Sequence, residues 1–108
     1  MLEHHHVFTY GASADLATNL KCDPAEVGAD LVRVNRGGDI TYHGPGQIVG
    51  YPIIDLKNWK QDTHLYLRNL EEVIIRTCAD YGLETGRNEK HTGVWVNDRK
   101  IAAIGIKV

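Results

Sequence analysis

Short β-prone stretches separated by turns dominate the apolar pattern of the chain. Residues 31–34 alternate apolar and polar side chains, as a strand with one buried face does. Three more runs rich in β-branched and aromatic residues are predicted as strands: residues 7–10, 40–42 and 48–54. A turn at residues 43–46 separates the last two, and Pro52 predicts an edge or a bulge in the last one.

One long amphipathic helix is predicted over residues 63–81. Its apolar side chains recur at three- and four-residue steps and form one stripe: Leu67, Leu70, Val73, Ile74, Cys78 and Tyr81. Asp62 or Thr63 suits its N-cap, and Gly82 suits a left-handed C-terminal residue. A shorter helix is predicted at residues 15–20, with Ser13 as its N-cap.

A hairpin is predicted near the end of the chain, because residues 94–96 and 100–108 flank the turn-forming pair Asn97-Asp98. Strands and helices follow one another without an internal repeat, low-complexity tract or linker. The pattern predicts an α+β fold in one domain, with a mixed β-sheet and flanking helices.

Composition narrows the class of protein. The chain has 108 residues, of which 43% are apolar and 24% charged, as in a soluble globular domain. The net charge of −2 gives no electrostatic argument for nucleic acid or an anionic membrane, and no apolar run approaches a membrane span. Cys22 and Cys78 make no disulfide framework, and no signal-peptide layout is present. We therefore expect a cytoplasmic protein.

Residues 36–47 carry the densest chemistry, reading Arg-Gly-Gly-Asp-Ile-Thr-Tyr-His-Gly-Pro-Gly-Gln. Glycines let a backbone approach a ligand closely, and the polar groups beside them suit a carbonyl or an acid head. A phosphate-binding loop is excluded, because no Gly-Lys-Ser/Thr follows and no helix pattern begins there. Taken alone, the paired glycines also suit an ordinary tight turn.

This segment, with Tyr51 after it, resembles the signature of the lipoyl(octanoyl) transferase family, the octanoyl-acyl carrier protein:protein N-octanoyltransferases. Four other stretches resemble the family in the same order: residues 2–11, 51–56, 92–96 and 99–105. The resemblance implies the catalytic fold of biotin and lipoate protein ligases. It also implies an acyltransferase of lipoate biosynthesis and protein lipoylation, without a metal or other cofactor.

The partners implied by the resemblance are octanoyl-acyl carrier protein and lipoyl domains. Octanoate would move to a lysine of lipoyl domains in 2-oxoacid dehydrogenases and the glycine cleavage H protein, through a cysteine thioester.

The site residues implied by the resemblance form two groups. Those that match the acyl-substrate pocket are Arg36, Gly37, Gly38, Asp39, Ile40, Thr41, Tyr42, His43, Ala103, Ile104 and Gly105. Lys100 matches the catalytic lysine that faces the nucleophilic cysteine, where an ammonium favours a thiolate and stabilises an oxyanion. His43 matches an active-site histidine, with pocket organisation as its expected role and general acid–base catalysis as the alternative.

The nucleophile itself has no match. Cys78 lies in the apolar stripe and is interpreted as a packing residue, and Cys22 stands beside Asp23, a carboxylate that disfavours a thiolate. Family domains extend beyond this chain at both ends. We therefore expect residues 1–108 to be the central part of one octanoyltransferase domain, incomplete in fold and inactive alone.

Two alternatives to this assignment remain, and a metal site is considered separately. An ATP-dependent lipoate-protein ligase shares the fold, but ligases usually have an acidic residue where this chain has Gly44. A catalytically inactive acyl-binding fragment is the non-enzymatic alternative. A metal site at His4, His5 and His6 is disfavoured, because consecutive strand residues point to opposite faces.

Overall fold

The computed structural model describes residues 1–108 as five strands, two α-helices and two 3₁₀ helices. It divides into two compact units, Met1–Ile54 with Lys107 and Asp55–Ile106 with Val108, and each is described by itself. Parallel and antiparallel strand pairs occur together with helices, which confirms the predicted α+β class. The described helices include none with the length and apolar character that a membrane span requires.

The first unit is built on a three-stranded mixed sheet. Strand β1 (Val7–Tyr10) is central, with β2 (Asp30–Arg33) parallel on one side and β3 (Ile40–His43) antiparallel on the other. Thr9 of β1 lies opposite Val32 and Thr41 in the two ladders. Three predicted strands are thus confirmed, and β1 gains partners on both edges because its β-branched and aromatic side chains suit a central position.

The parallel pairing of β1 and β2 requires a crossover, which residues 11–29 provide. It contains helix α1 (Leu16–Asn19) and a 3₁₀ helix (Pro24–Val27) that ends at a left-handed Gly28. The predicted N-cap Ser13 is wrong. Asp15 caps α1 by accepting from the Thr18 N–H, whereas the Ser13 N–H donates to the Gly38 carbonyl.

The strand predicted over residues 48–54 is wrong. Only Val49 pairs there, through two backbone hydrogen bonds with Leu2 of 2.8 and 2.9 Å. Pro52 has no N–H to donate, and Ile53 is 96% exposed, so the rest of the run has neither a ladder nor a packed face.

Helix α2 (Thr63–Asp80) dominates the second unit, after a 3₁₀ helix at Leu56–Asn58. Asp62 is its N-cap and accepts from the Leu65 N–H, and Gly82 follows its end with a φ of 77°. Both helix ends therefore match the prediction, for the expected reasons of capping and left-handed conformation.

The apolar stripe of α2 does not define the buried face. Val73 and Tyr81 are 62% and 87% exposed, whereas the buried residue of the helix is Glu71. The sequence pattern missed this carboxylate because charged side chains are rarely buried without a partner.

The C-terminal hairpin consists of β4 (Val94–Val96) and β5 (Arg99–Ala102), joined through Asn97 at a φ of 51°. The predicted extension of the second strand to residue 108 is wrong. Strand β4 is three residues long, and its ladder ends where Val94 pairs with Ala102, so residues beyond have no partner.

Glu71 ties α2 to the start of the hairpin. One carboxylate oxygen accepts from Arg68 (2.8 Å) and Arg87 (3.1 Å), and the other accepts from the Gly93 N–H (3.1 Å). Burial by itself would raise the pKa of Glu71, but hydrogen bonds from Arg68 and Gly93 and the two arginine charges outweigh it. The pKa therefore lies below its ordinary value.

We predict that Glu71→Gln lowers the free energy of unfolding by roughly 2–3 kcal/mol at neutral pH, because charged hydrogen bonds to a buried group are lost. A carboxyl with a depressed folded pKa stabilises the protein above its unfolded pKa, and that contribution disappears as pH falls through the folded pKa. The difference between the two proteins should thus shrink below about pH 4.5. Urea unfolding at several pH values measures it.

The matched control is Glu72→Gln, whose ion pairs with Arg76 and Arg87 are partly exposed, unlike the buried carboxylate of Glu71, and should matter much less. Equal effects of the two substitutions would contradict a structural role for Glu71.

Candidate functional site

The guanidinium of Arg36 holds the loop at residues 36–39 against β1. Nη1 donates to the carbonyls of Gly37 (3.0 Å) and Asp39 (3.1 Å), and Nη2 donates to the carbonyl (3.1 Å) and hydroxyl (2.8 Å) of Thr9. Burial lowers the pKa of Arg36 from its ordinary value, and the Asp39 charge acts in the opposite direction. Since an arginine stays charged at neutral pH, a permanent cation organises this loop.

Asp39 is also engaged within the first unit. Its carboxylate accepts from the Asp15 N–H (3.1 Å) and from the Asn19 side chain, and its carbonyl accepts from the Gly11 N–H (3.1 Å). The negative charge thus connects the loop to the start and end of α1.

Gly11 lies in direct contact with the loop. A Cβ on Gly11 would stand 2.5 Å from the Gly38 carbonyl oxygen and 2.8 Å from that of Arg36. Gly38 itself has a φ of 92°, a left-handed conformation that favours glycine. Close approach of the two backbone segments therefore requires glycine at residue 11, and the left-handed backbone favours glycine at residue 38.

Strand β3 presents the next four predicted site residues, Ile40, Thr41, Tyr42 and His43. The imidazole of His43 contacts two polar side chains: Nδ1 lies 2.9 Å from Gln47 Oε1, and Nε2 lies 3.4 Å from Thr9 Oγ1. The ring of His4 packs 5.5 Å from it, centroid to centroid, and binds the Tyr51 hydroxyl at 2.7 Å. The half-buried His43 is thus contacted by polar groups from both ends of the first unit.

Tyr42 covers Gly44. A Cβ on Gly44 would lie 2.1 Å from the Tyr42 hydroxyl oxygen. That hydroxyl is fixed by His6 Nδ1 at 2.5 Å, and the ring packs 5.4 Å from Phe8. The residue after His43 must therefore be glycine while Tyr42 keeps this position.

The other predicted site residues lie in the second unit. Lys100 is an exposed residue of β5, opposite Trp95, with Nζ 5.0 Å from the Trp95 ring centroid, a cation–π contact. A Cβ on Gly93 would stand 3.3 Å from the aliphatic stem of Lys100. Three residues follow β5 without regular structure, with only the second half-buried: Ala103, Ile104 and Gly105.

The structure thus brings Arg36 to His43 into one loop and strand of the first unit, and describes Lys100 and residues 103–105 within the second. Sequence reasoning missed the contacts of Thr9 with His43 and Arg36, and the contact of Gln47 with His43. Period-two alternation along β1 and β3 was the available signal for Thr9, because opposite residues in a ladder share a face. The roles predicted from the resemblance stay predictions.

Neither cysteine occupies a polar cluster of this kind. Cys22 is exposed in the first unit, and Cys78 is half-buried on α2. The burial of Cys78 agrees with its interpretation as a packing residue.

The family model of the lipoyl protein ligase A/B catalytic domain matches residues 1–108. The chain is 55% identical to the Octanoyltransferase of Solibacter usitatus (strain Ellin6076), over 98% of this chain and 49% of that protein. It is 54% identical to the Octanoyltransferase of Gloeobacter violaceus, over 100% of this chain and 47% of the relative. It is 49% identical to the Octanoyltransferase of Caldanaerobacter subterraneus subsp. tengcongensis, over 100% of this chain and 48% of that protein. The chain spans about half the length of the curated relatives it matches.

We predict that Gly11→Ala lowers the free energy of unfolding by about 1–3 kcal/mol, because its Cβ would collide with two backbone carbonyls that have no rotamer to change. The matched control in the same unit is Gly50→Ala, where the nearest atom lies 4.0 Å away. That control should change stability by less than about 0.5 kcal/mol. Denaturant unfolding compares them, and equal stabilities would show that the loop does not press on Gly11.

Proposed function

Because the chain belongs to the lipoyl protein ligase A/B catalytic-domain family, we propose that the protein containing it is an octanoyltransferase of lipoate biosynthesis, acting in the cytoplasm. It would take octanoate from octanoyl-acyl carrier protein and attach it to the lysine of a lipoyl domain. The acceptors would be the lipoyl domains of 2-oxoacid dehydrogenases and the glycine cleavage H protein.

One observation carries this proposal: identity of 49–55% across nearly the whole chain to proteins named Octanoyltransferase. Since the chain covers 47–49% of those relatives, we propose that it forms one part of the transferase domain. The remaining catalytic groups, including the nucleophilic cysteine, would lie outside residues 1–108.

The acyl side of the reaction would use the loop and strand held by Arg36. Gly37 and Gly38 carry no side chain, so their backbone is open to close approach by an acyl thioester. The four terminal N–H groups of Arg36 are bound to Gly37, Asp39 and Thr9, which supports a role in shaping this surface. Residues 103–105, which are also predicted to bind the acyl substrate, include an alanine and a glycine. Their small size would leave room for an alkyl chain.

The proposed chemistry has two balanced steps. A cysteine thiolate attacks the carbonyl of octanoyl-acyl carrier protein and expels the carrier thiolate, which leaves octanoate as an enzyme thioester. The amine of the lipoyl-domain lysine then attacks this thioester, loses a proton and expels the cysteine thiolate. Lys100 would favour the thiolate form and stabilise the developing oxyanion, since its ammonium is exposed and makes no ion pair with a carboxylate.

The contact between Tyr42 and Gly44 favours a transferase over a ligase. Lipoate ligases usually carry an acidic residue after the histidine, and here a side chain at that position would collide with Tyr42 unless the Tyr42 ring moved. The family model nevertheless includes ligases, so the source of the acyl group must be tested directly.

We predict carrier-dependent octanoylation of a lipoyl domain by this chain extended to the length of its relatives. The domain is incubated with the protein and either octanoyl-acyl carrier protein, or free octanoate with ATP, and its intact mass is measured. A mass increase of one octanoyl group with the carrier alone is expected. Modification only with octanoate and ATP would identify a ligase, and modification by residues 1–108 alone would place the nucleophile at Cys22 or Cys78.

We predict that Lys100→Met in the extended protein lowers kcat by roughly 10²–10³, because one oxyanion-stabilising group is removed. Activity should recover partly at alkaline pH, where the cysteine ionises without a neighbouring cation. The control is Lys90→Met, an exposed lysine outside the predicted site, which should leave kcat unchanged. A Lys100→Met enzyme with wild-type kcat and pH profile would remove Lys100 from the mechanism.

A further inference from the structure

Four polar side chains of the first unit form a continuous hydrogen-bonded series through His43. Arg36 Nη2 lies 2.8 Å from Thr9 Oγ1, and Thr9 Oγ1 lies 3.4 Å from His43 Nε2. His43 Nδ1 then lies 2.9 Å from Gln47 Oε1. The series joins the loop after β2, the central strand β1, the end of β3 and the turn that follows it.

Hydrogen-bonding chemistry gives this series one direction. A guanidinium can only donate, so Thr9 Oγ1 accepts from Arg36 and still has its own hydrogen to place. If His43 donated from Nε2, the Thr9 hydroxyl would accept twice, and its hydrogen would need another acceptor at a half-buried position. If Thr9 donates to Nε2 instead, every hydrogen in the series is used once.

The same direction specifies the state of the imidazole. Nε2 becomes an acceptor, so the hydrogen of the neutral ring is on Nδ1, where it faces the Gln47 side-chain oxygen. The other groups packed against the ring are His4, and Tyr51 behind it, which bind each other and do not bind the imidazole nitrogens. Both ring nitrogens are therefore engaged by the protein itself.

We propose that Thr9 and Gln47 are positioning residues that hold His43 as the neutral Nδ1–H tautomer. His43 then orients the surface formed by residues 36–43 and does not carry a proton to or from the substrate. Only the kinetic arm of the test rests on the proposed function. The structural arm measures the tautomer directly and needs no substrate.

The structural arm is ¹⁵N NMR of histidine-labelled protein at a pH where the ring is neutral. His43 should show a protonated, pyrrole-like Nδ1 and an unprotonated, pyridine-like Nε2. Thr9→Val removes the hydroxyl and should give a mixture of tautomers, whereas Thr9→Ser keeps the hydroxyl and should restore the single form. Gln47→Glu can only accept at neutral pH, so it should keep the hydrogen on Nδ1. A wild-type ring protonated on Nε2, or a Gln47→Glu ring that switches to it, would overturn the proposal.

The kinetic arm uses the extended protein with octanoyl-acyl carrier protein. Thr9→Val should lower kcat about tenfold or more with little change in KM, because the His43 ring is misoriented. Thr9→Ser keeps the hydroxyl and should retain most of the wild-type kcat. His43→Gln, whose amide can still accept from Thr9 and donate to Gln47, should retain activity within about tenfold of wild type. Loss of a general acid–base would instead lower kcat by about 10²–10⁴-fold and remove a limb of the pH–rate profile. That result for His43→Gln would refute the positioning role. Absence of octanoyl transfer by the wild-type protein would refute the proposed function and leave the tautomer result standing.

Discussion

The contact between the Arg36 guanidinium and Thr9 is the interaction on which the first unit depends. It places a permanent charge against the central strand and directs its hydrogen bonds into the carbonyls of the loop at residues 36–39. Because a partly buried guanidinium is costly unless its N–H groups are satisfied, the loop conformation and the position of Arg36 specify each other. Gly11 follows from this constraint, since the loop carbonyls approach too closely for a Cβ, and Gly38 follows from the left-handed backbone of the loop.

A buried negative charge holds the second unit together, as the positive charge of Arg36 does in the first unit. Glu71 accepts hydrogen bonds from two arginines and from the Gly93 N–H, and Gly93 in turn lies beneath the stem of Lys100. The proposed catalytic lysine thus lies beside a glycine that this carboxylate binds. In each unit, a charged side chain with satisfied hydrogen bonds holds a glycine-containing backbone segment near a residue for which we propose a role in the reaction.

Much of this fold could be predicted from local residue chemistry, whereas the pairing of distant strands could not. Strands β1 and β3, the caps of α2 and the Asn97 turn follow from residue type and spacing, and the structure has them where predicted. Residues 48–54 and 103–108 are equally β-prone but have no partner for a ladder, which no local pattern reveals. The residue chemistry of the glycine-rich segment singled it out and the family resemblance gave its residues roles, whereas Thr9 and Glu71 emerged only when the strands and helix were placed.

We propose above all that the surface held by Arg36 receives the acyl chain. The most direct test is a set of ¹³C-edited nuclear Overhauser measurements on the extended protein with a bound, isotope-labelled octanoyl thioester. We expect contacts from the octanoyl methylenes to Gly37, Gly38 and Tyr42. Contacts confined to residues outside 36–43 and 103–105 would contradict this proposal, because the acyl chain would then occupy a surface that the Arg36 hydrogen bonds do not hold.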